Sequence, residues 1–403
     1  MKSVQIMNNS DQFSSFENLL ILWKDKTIDL QLKKNLISEF ISKGKNNFPL
    51  VKDDEIYFIY IGNAKLVHVV GDFNGWDSFD TSSKMNRLDN TDIFYLKKFF
   101  PIDSRLDYQF VVDTDWLLDP YNECKILGGF GFNSELRMPR HTKKQNIYPK
   151  IDSLRKGTIQ EIIFESNIQK HWKRKIYIYL PPQYNPENEI KYPTIYAIDG
   201  TDFLSAGNAK EIIDNLIADQ RIPEILVIFI DPVSPELRIR DFNSNPCLDS
   251  SENTDEDFNS ELCRENYCKF LVSELIPYID NNYNTITDNP TKRAHIGVSL
   301  GGILSTYVGS KYPNLFKLIG SQSGAFWIDK TVYERFVEIE PIKDMKFYLN
   351  AGIFEKRILN HTKAFATILK NKKYLIKEEY FNQGHSWGLW KETLGPMLEF
   401  LLN

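Results

Sequence analysis

Apolar residues near the N-terminus recur at the three- and four-residue spacing of an amphipathic helix. One run spans Phe16 to Trp23 and another spans Leu30 to Ile41, with a polar break near Asp25 to Asp29. Because this spacing gathers apolar side chains on one face of a helix, it predicts two amphipathic helices. The pattern leaves open whether these helices pair two chains in a homodimer.

From about Pro49 the pattern changes to short β-rich runs with turn residues between them. These runs are Ile56 to Ile61, Leu66 to Val70, Phe94 to Phe99 and Tyr108 to Val112. They predict a small β-sandwich that ends near Pro139. The stretch His141 to Lys156 is polar and aperiodic, which is typical of a linker between domains.

After Gly157, apolar strand-like runs alternate with segments that are long enough for helices. The predicted strands are Ile159 to Phe164, Lys175 to Leu180, Thr194 to Asp199, Ile225 to Ile230, Ala294 to Gly297, Leu318 to Gln322, Lys346 to Asn350 and Leu375 to Phe381. The predicted helices are Ala209 to Asp219, Glu261 to Asn282, Gly302 to Lys311, His361 to Lys372 and Trp387 to Leu402. This alternation predicts an α/β fold with a mostly parallel sheet covered by helices on both faces. We therefore divide the chain into a helical segment 1–48, a β-sandwich 49–145 and an α/β domain 146–403.

Composition limits the classes of partner. The 403 residues carry 49 Lys and Arg against 54 Asp and Glu, a net charge of −5, so a nucleic-acid partner is not expected. The longest apolar run near the start, Leu19 to Trp23, is too short to span a membrane, and no signal pattern precedes it. We expect a cytoplasmic protein without a membrane partner. The four cysteines form neither a disulfide framework nor a C-x-x-C pair, so we expect them to be reduced and buried: Cys124, Cys247, Cys263 and Cys268.

The motif G-x-S-x-G occurs once, over Gly297 to Gly301, between a predicted strand and a predicted helix. In this strand–turn–helix context it predicts a nucleophile elbow. The turn is so tight that flanking side chains are expected to collide, and it lifts the Ser299 hydroxyl out of the sheet. Ser299 is therefore the predicted nucleophile.

A serine hydroxyl needs a base, and in this type of fold the acid and the histidine follow the serine along the chain. Four of the six histidines precede Ser299 or lie near the β-domain: His68, His141, His171 and His295. His361 falls inside a predicted helix. His385 lies between the last predicted strand and the last predicted helix, where a loop can carry an imidazole, so His385 is the predicted base.

The acid is expected after the strand Lys346 to Asn350, where Glu355 is the leading candidate. Asp329 remains the alternative. The oxyanion hole needs two backbone donors. We assign one to Leu300, which follows the nucleophile, and the other to Thr201, in the loop after the strand that ends at Asp199.

At these residues the sequence resembles the enterochelin (siderophore) esterase family and the broader esterase superfamily, which includes feruloyl and acetylxylan esterases. The resemblance is carried by Ile198 to Gly200, Gly297 to Gly302, Ser321 to Gly324 with Trp327, Ala351 to Glu355 and Gly384 to Trp387. It covers most of the chain after residue 157, and it implies an α/β-hydrolase fold and serine hydrolysis. The Ala-Gly-Ile-x-Glu run implies glutamate, rather than the usual aspartate, as the acid. The residue before Gly384 departs from the family, since Gln383 stands where glycine is common.

The β-domain also resembles a known family, the early-set immunoglobulin-like domains that precede glycogen-acting enzymes and many esterases. The similarity lies in Val69 to Trp76, Asp107 to Phe110 and Trp116 to Asn122. Trp76 and Trp116 could stack on sugar rings. The alternative, which we favour, is that they fill the core of the sandwich or cap the catalytic pocket.

Three further residues are candidates for substrate contact. Arg238 follows the strand Ile225 to Ile230 and could overhang the edge of the sheet where ligands bind. The resemblance places a comparable arginine near a catecholate substrate, and Trp327 and Trp387 would supply an aromatic wall. We expect a small-molecule ester substrate and a mechanism that needs neither a metal ion nor an organic cofactor. The leading function is hydrolysis of a catecholate siderophore trilactone; the alternatives are a carbohydrate esterase and a non-catalytic binding scaffold.

Overall fold

The computed structural model describes residues 9–44, 48–129, 131–142, 156–169, 172–242 and 260–403. Most of the predicted linker, the predicted boundary at residues 145 and 146, His171 and Cys247 lie outside this part of the chain. The chain divides into two compact units. The first comprises Met1–Lys143 with Asn382–Gly388, and the second comprises Lys144–Phe381 with Leu389–Asn403.

Two helices open the first unit, α1 (Asn9–Lys24) and α2 (Leu30–Gly44), which confirms the two helices predicted from the apolar spacing. Oδ2 of Asp29 accepts hydrogen bonds from the backbone N–H groups of Gln31 and Leu32, which fixes the start of α2. The apolar face of the helices packs on the neighbouring sheet. The buried cluster that the helices and the sheet share includes Phe13, Phe16, Leu19, Ile37, Leu50, Tyr57 and Ile59.

The described residues of the first unit after α2 include nine strands. They are β1 (Leu50–Lys52), β2 (Glu55–Ile61), β3 (Val67–Gly71), β4 (Asn86–Arg87), β5 (Ile93–Phe99), β6 (Arg105–Val112), β7 (Asp115–Leu117), β8 (Lys125–Gly128) and β9 (Gly131–Arg137). One antiparallel sheet has the order β1-β2-β5-β4, and the other has the order β3-β6-β9-β8 with β7 beside β6. Buried aromatic side chains of the two sheets meet, with the rings of Phe58 and Tyr108 4.9 Å apart. The predicted β-domain is thus present.

The second unit is built on an eight-stranded sheet. Its strands are β10 (Thr158–Ser166), β11 (Trp172–Leu180), β12 (Thr194–Ile198), β13 (Leu226–Ile230), β14 (Arg293–Val298), β15 (Leu318–Gln322), β16 (Lys346–Gly352) and β17 (Leu375–Phe381). Their order is β10-β11-β13-β12-β14-β15-β16-β17. Strands β10 and β11 pair antiparallel with each other, and β11 pairs antiparallel with β13, whereas the pairs from β13 to β17 are parallel. Every residue of β12 to β15 is buried, as expected for central strands covered on both faces.

Helices connect these strands. They are α3 (Gly200–Ser205), α4 (Ala209–Ala218), α5 (Pro235–Phe242), α6 (Ser260–Phe270), α7 (Ile276–Asn282), α8 (Leu300–Lys311), α9 (Thr331–Glu338), α10 (Lys356–Asn371) and α11 (Trp387–Leu402). The α/β fold predicted from the alternation is confirmed. The single helix predicted over Glu261 to Asn282 is wrong in one respect, because a π-helical turn, Leu271–Leu275, separates α6 from α7. Pro277 follows that turn and has no N–H to continue a regular α-helix.

The expected burial of the cysteines holds for Cys268 but is wrong for Cys124, which is exposed; both are free thiols. Cys124 lies just before β8, in the connection between the short strands β7 and β8. Nothing is described for the side chain of Cys263. Within the described residues, no helix has both the length and the apolar character needed to cross a membrane.

Candidate active site

Ser299 lies between the end of β14 and the start of α8, in a left-handed backbone conformation with φ of 55°. A non-glycine residue rarely adopts this conformation, and it is typical of a nucleophile elbow. A side chain on Gly297 would overlap the backbone of Gly301, so the turn closes only with glycine there. Local sterics therefore explain the motif.

The elbow is tied to the neighbouring strand through backbone hydrogen bonds. The N–H of Ser299 donates to the carbonyl of Gln322 at 2.9 Å, and its carbonyl accepts from the N–H of Ala325 at 3.1 Å. Leu300 is the first residue of α8, where an N–H has no acceptor within the helix. The predicted oxyanion donor thus lies at the positive end of a helix, next to the serine.

Thr201, the other predicted oxyanion donor, lies in the first turn of α3, directly after β12. Its N–H donates to Oδ1 of Asp231 at 2.5 Å, and its hydroxyl donates to Oδ2 of the same carboxylate at 2.5 Å. Burial raises the pKa of Asp231, although the hydrogen bonds from Thr201 act in the opposite direction. The N–H of Thr201 can donate to an oxyanion only if its hydrogen bond to Asp231 breaks. The sequence did not predict this constraint.

Arg238 lies on α5, after β13 as expected, but its guanidinium is paired. Its Nε and Nη2 atoms donate to the two carboxylate oxygens of Asp199 at 2.6 and 2.8 Å. Asp199 is nearly fully buried at the end of β12. Most of the charge of Arg238 is therefore balanced within the protein, rather than left for a substrate.

Glu355 is buried directly before α10, and its carboxylate is held by two donors. Oε2 accepts the hydroxyl of Ser323 at 2.9 Å and the backbone N–H of Gly352. The Ser323 hydroxyl in turn accepts the indole N–H of Trp390 at 2.9 Å. A chain of three side chains, Trp390 to Ser323 to Glu355, fixes the orientation of the candidate acid.

Asp329, the alternative acid, has other partners. Its Oδ2 pairs with Nη1 of Arg264 at 2.6 Å. Its Oδ1 accepts both the N–H and the hydroxyl of Thr331 at 3.0 and 2.6 Å, at the start of α9. Asp329 thus accepts hydrogen bonds from the first residue of α9 and pairs with a buried arginine, so Glu355 stays the leading candidate for the acid.

His385 belongs to the segment Asn382–Gly388, which is part of the first unit. It is exposed, whereas the residues on both sides are buried, namely Gln383, Gly384, Ser386 and Trp387. The contacts of this segment within its unit involve Asp72, Asp103 and Arg105. No local pattern in the sequence predicted these residues as neighbours of His385, because they lie 280 or more positions earlier in the chain.

Two other histidines, His295 and His361, lie in surroundings that lower their pKa values. His295 is fully buried, and its Nδ1 lies 2.9 Å from the hydroxyl of Ser305. Burial lowers the pKa of His295 to about 3, so it is neutral in the folded protein. Burial, followed by the nearby charge of Lys330, also lowers the pKa of His361.

The two aromatic candidates differ in accessibility. Trp327 is half-buried, and the guanidinium of Arg357 lies over its ring, 5.3 Å from the centroid. Trp387 is almost completely buried, so it offers little surface to a substrate. Of the two, Trp327 is better suited to an aromatic wall.

A mostly parallel sheet with a serine at a strand–helix elbow defines the α/β-hydrolase class. Residues 168–401, more than half of the chain, match the family described as "Putative esterase". The chain belongs to this esterase family and is a carboxylic-ester hydrolase.

Known proteins and solved structures are also similar to this chain. Uncharacterized protein YbbA of Bacillus subtilis is 31% identical over 47% of this chain and 68% of its own length. Iron(III) enterobactin esterase of Escherichia coli is 24% identical over 69% of this chain and 65% of its own length. The crystal structure of the Shigella flexneri enterobactin esterase, obtained in the presence of enterobactin, superposes with a TM-score of 0.69 at 20% identity, over 86% of this chain and 92% of that one. The structural likeness shows a shared fold.

Proposed function

We propose that this esterase uses Ser299, His385 and Glu355 as a catalytic triad and cleaves the ester bonds of a catecholate siderophore trilactone. The observation that carries the triad is the left-handed backbone of Ser299 at the start of α8, because this strain is maintained where a nucleophile must be exposed. The hydrogen-bonded carboxylate of Glu355 and the exposed His385 support the other two assignments.

In the proposed mechanism, Oγ of Ser299 attacks the ester carbonyl while the imidazole of His385 accepts the hydroxyl proton. Glu355 orients the imidazole and stabilises its cationic form. The N–H of Leu300 donates to the developing oxyanion, joined by the N–H of Thr201 once Asp231 releases it. His385 then protonates the departing alcohol, and water cleaves the acyl-enzyme by the same route in reverse.

The substrate class rests on chemistry near Glu355 and on the relatives. Arg357 and the ring of Trp327 combine a cation with an aromatic face, which suits an anionic, aromatic catecholate acyl group. The Escherichia coli relative is an iron(III) enterobactin esterase. Because Arg238 already forms an ion pair with Asp199, a substrate that contacts Arg238 would share its positive charge with Asp199. The cytoplasmic location stays a prediction from the sequence.

A carbohydrate esterase remains the second candidate because of an aromatic pair in the first unit. The rings of Trp76 and Trp116 stack 6.4 Å apart at an angle of 22°. Trp116 is 47% exposed, so the expectation that it fills the sandwich core is wrong. A short edge strand, β7, leaves its ring at the surface, where a sugar could stack.

The deciding experiment compares hydrolysis of iron-free and ferric enterobactin, methyl ferulate and acetylated xylan by the purified protein. We expect the trilactone to give the highest kcat/KM, and Ser299→Ala to abolish turnover of all ester substrates without unfolding the protein. Preference for the ferulate or acetyl ester would overturn the siderophore assignment. Unchanged turnover by Ser299→Ala would overturn the triad.

A further inference from the structure

Arg105 is a fully buried cation at the start of β6 in the first unit. Its guanidinium donates from Nε to Glu135 at 2.7 Å, from Nη2 to Asp107 at 2.6 Å and from Nη1 to the hydroxyl of Ser386 at 3.0 Å. Arginine stays charged and planar, so these three directions are fixed by its geometry. Two carboxylates already balance the cation, and the third hydrogen bond is therefore not needed for charge balance.

The same residue also contacts the segment Asn382–Gly388 through its backbone and its bulk. The N–H of Arg105 donates to the carbonyl of Asn382 at 3.1 Å. At the other end of the segment, a side chain on Gly388 would overlap the guanidinium, so this glycine permits the close approach. Arg105 thus contacts the segment at Asn382, Ser386 and Gly388, which lie on both sides of His385.

Two aspartates complete the support. Nδ2 of Asn382 donates to Oδ1 of Asp103 at 2.6 Å. A side chain on Gly384 would overlap that of Asp72, which is buried and accepts the N–H of Asp107 at 2.8 Å. The glycine directly before His385 is therefore pressed against the same polar cluster as Arg105.

We propose that Arg105 is a positioning residue for catalysis, because it holds Ser386 and the backbone of Asn382–Gly388 so that His385 is presented in one orientation. The inference rests on the proposed role of His385 as the base. It assigns to the β-domain a part in the reaction that does not involve binding a sugar. A buried guanidinium that donates in three fixed directions restrains the groups that accept from it. A general base must be held to within a fraction of an ångström.

The test removes only the acceptor of the third hydrogen bond. Ser386→Ala leaves the ion pairs of Arg105 with Asp107 and Glu135 in place. With p-nitrophenyl acetate as the probe, we expect kcat to fall by about 10- to 100-fold while KM changes by less than about twofold, since misplacement of a catalytic group mainly affects the transition state. Hydrogen exchange should become faster in the peptide that contains residues 382–388 and stay unchanged in β6.

Ser104→Ala is the matched control. Ser104 is a buried serine beside Arg105, and among the described residues its hydroxyl has no hydrogen-bond partner. We expect this variant to keep wild-type kcat, KM and hydrogen exchange. Wild-type kcat in Ser386→Ala, or a loss of activity equal to the loss of folded protein, would overturn the positioning role.

Two additional variants separate this proposal from the triad assignment. Loss of turnover in Ser299→Ala and His385→Ala, together with normal kcat in Ser386→Ala, would overturn the positioning role alone. Full turnover in His385→Ala would overturn the assignment of His385 as the base. The proposed role of Arg105 in catalysis would then be overturned as well. Faster hydrogen exchange in Ser386→Ala would still establish that Arg105 restrains the segment.

Discussion

The hydroxyl of Ser323 donates to Oε2 of Glu355 at 2.9 Å while it accepts the indole N–H of Trp390 at 2.9 Å. The sequence predicted the glutamate but not its support. Ser323 itself has a left-handed backbone, with φ of 47°, and follows β15 directly. A residue at the end of one strand therefore orients the candidate acid, which follows the next strand of the sheet.

We expect Ser323→Ala to lower kcat by about tenfold with little change in KM. The substitution leaves the indole N–H of Trp390 without this acceptor and leaves Glu355 with one of its two described donors, so the acid loses orientation. Steady-state kinetics on an aryl ester measure the effect. Ser321→Ala is the matched control, because Ser321 is a buried serine two residues earlier whose hydroxyl has no hydrogen-bond partner in the described part of the chain. Equal kinetics for the two variants would contradict the support role of Ser323.

A comparison of Glu355→Gln with Asp329→Asn tests which acid serves the triad. We expect Glu355→Gln to lower kcat by about 10²- to 10⁴-fold, the range seen when the acid of a triad can no longer hold its histidine. Asp329→Asn should instead lower the melting temperature, because it breaks the ion pair with Arg264, and should leave kcat within about threefold. Kinetics and thermal unfolding of both variants provide the measurement. The opposite pattern would make Asp329 the acid.

The order of elements along the chain was sufficient to nominate candidates for the nucleophile, the acid and the base. Ser299 is marked by a local steric motif, and His385 and Glu355 follow predicted strands at the expected places. The eight strands of the larger sheet were predicted because long apolar runs are strong signals. The short helices α3, α5 and α9 were missed, since segments of six to eight residues carry too few turns to show a period.

The contacts that support the site could not be predicted in the same way. Arg105 and Ser386 are 281 positions apart, and neither stands in a recognisable motif with the other. The pairing of Arg238 with Asp199 shows the same limit, because an arginine at a sheet edge fits a substrate and an internal partner equally well from sequence alone. Long-range hydrogen bonds depend on the folded backbone, whereas motifs depend on local sterics.

The pH dependence of stability should reveal Asp72. Burial, and then the charge of Asp107, raise the pKa of Asp72 from 3.8 to about 8 in the folded protein. A carboxyl group with a raised pKa in the folded state contributes stability that is fully present below about pH 4 and is lost as the pH rises through about 8. The melting temperature of the wild type should therefore fall between about pH 4 and pH 8. Asp72→Asn mimics the protonated carboxyl and should show a smaller fall, and parallel curves for the two proteins would contradict the raised pKa.

The two glycines of the elbow should differ in their tolerance of alanine. A Cβ on Gly297 would overlap the backbone of Gly301, which cannot move without displacing Ser299, so Gly297→Ala should lower kcat by about 10²-fold or more and also lower the melting temperature. The atoms outside α8 that lie nearest to a Cβ on Gly301 belong to side chains, with the end of Ile198 nearest at 3.0 Å. A small shift of that side chain relieves the contact, and Gly301→Ala should keep kcat within about tenfold of the wild type. Kinetics and thermal unfolding of the pair distinguish backbone from side-chain constraint, and a more damaging Gly301→Ala would show that the geometry of the elbow is set by α8 rather than by the end of β14.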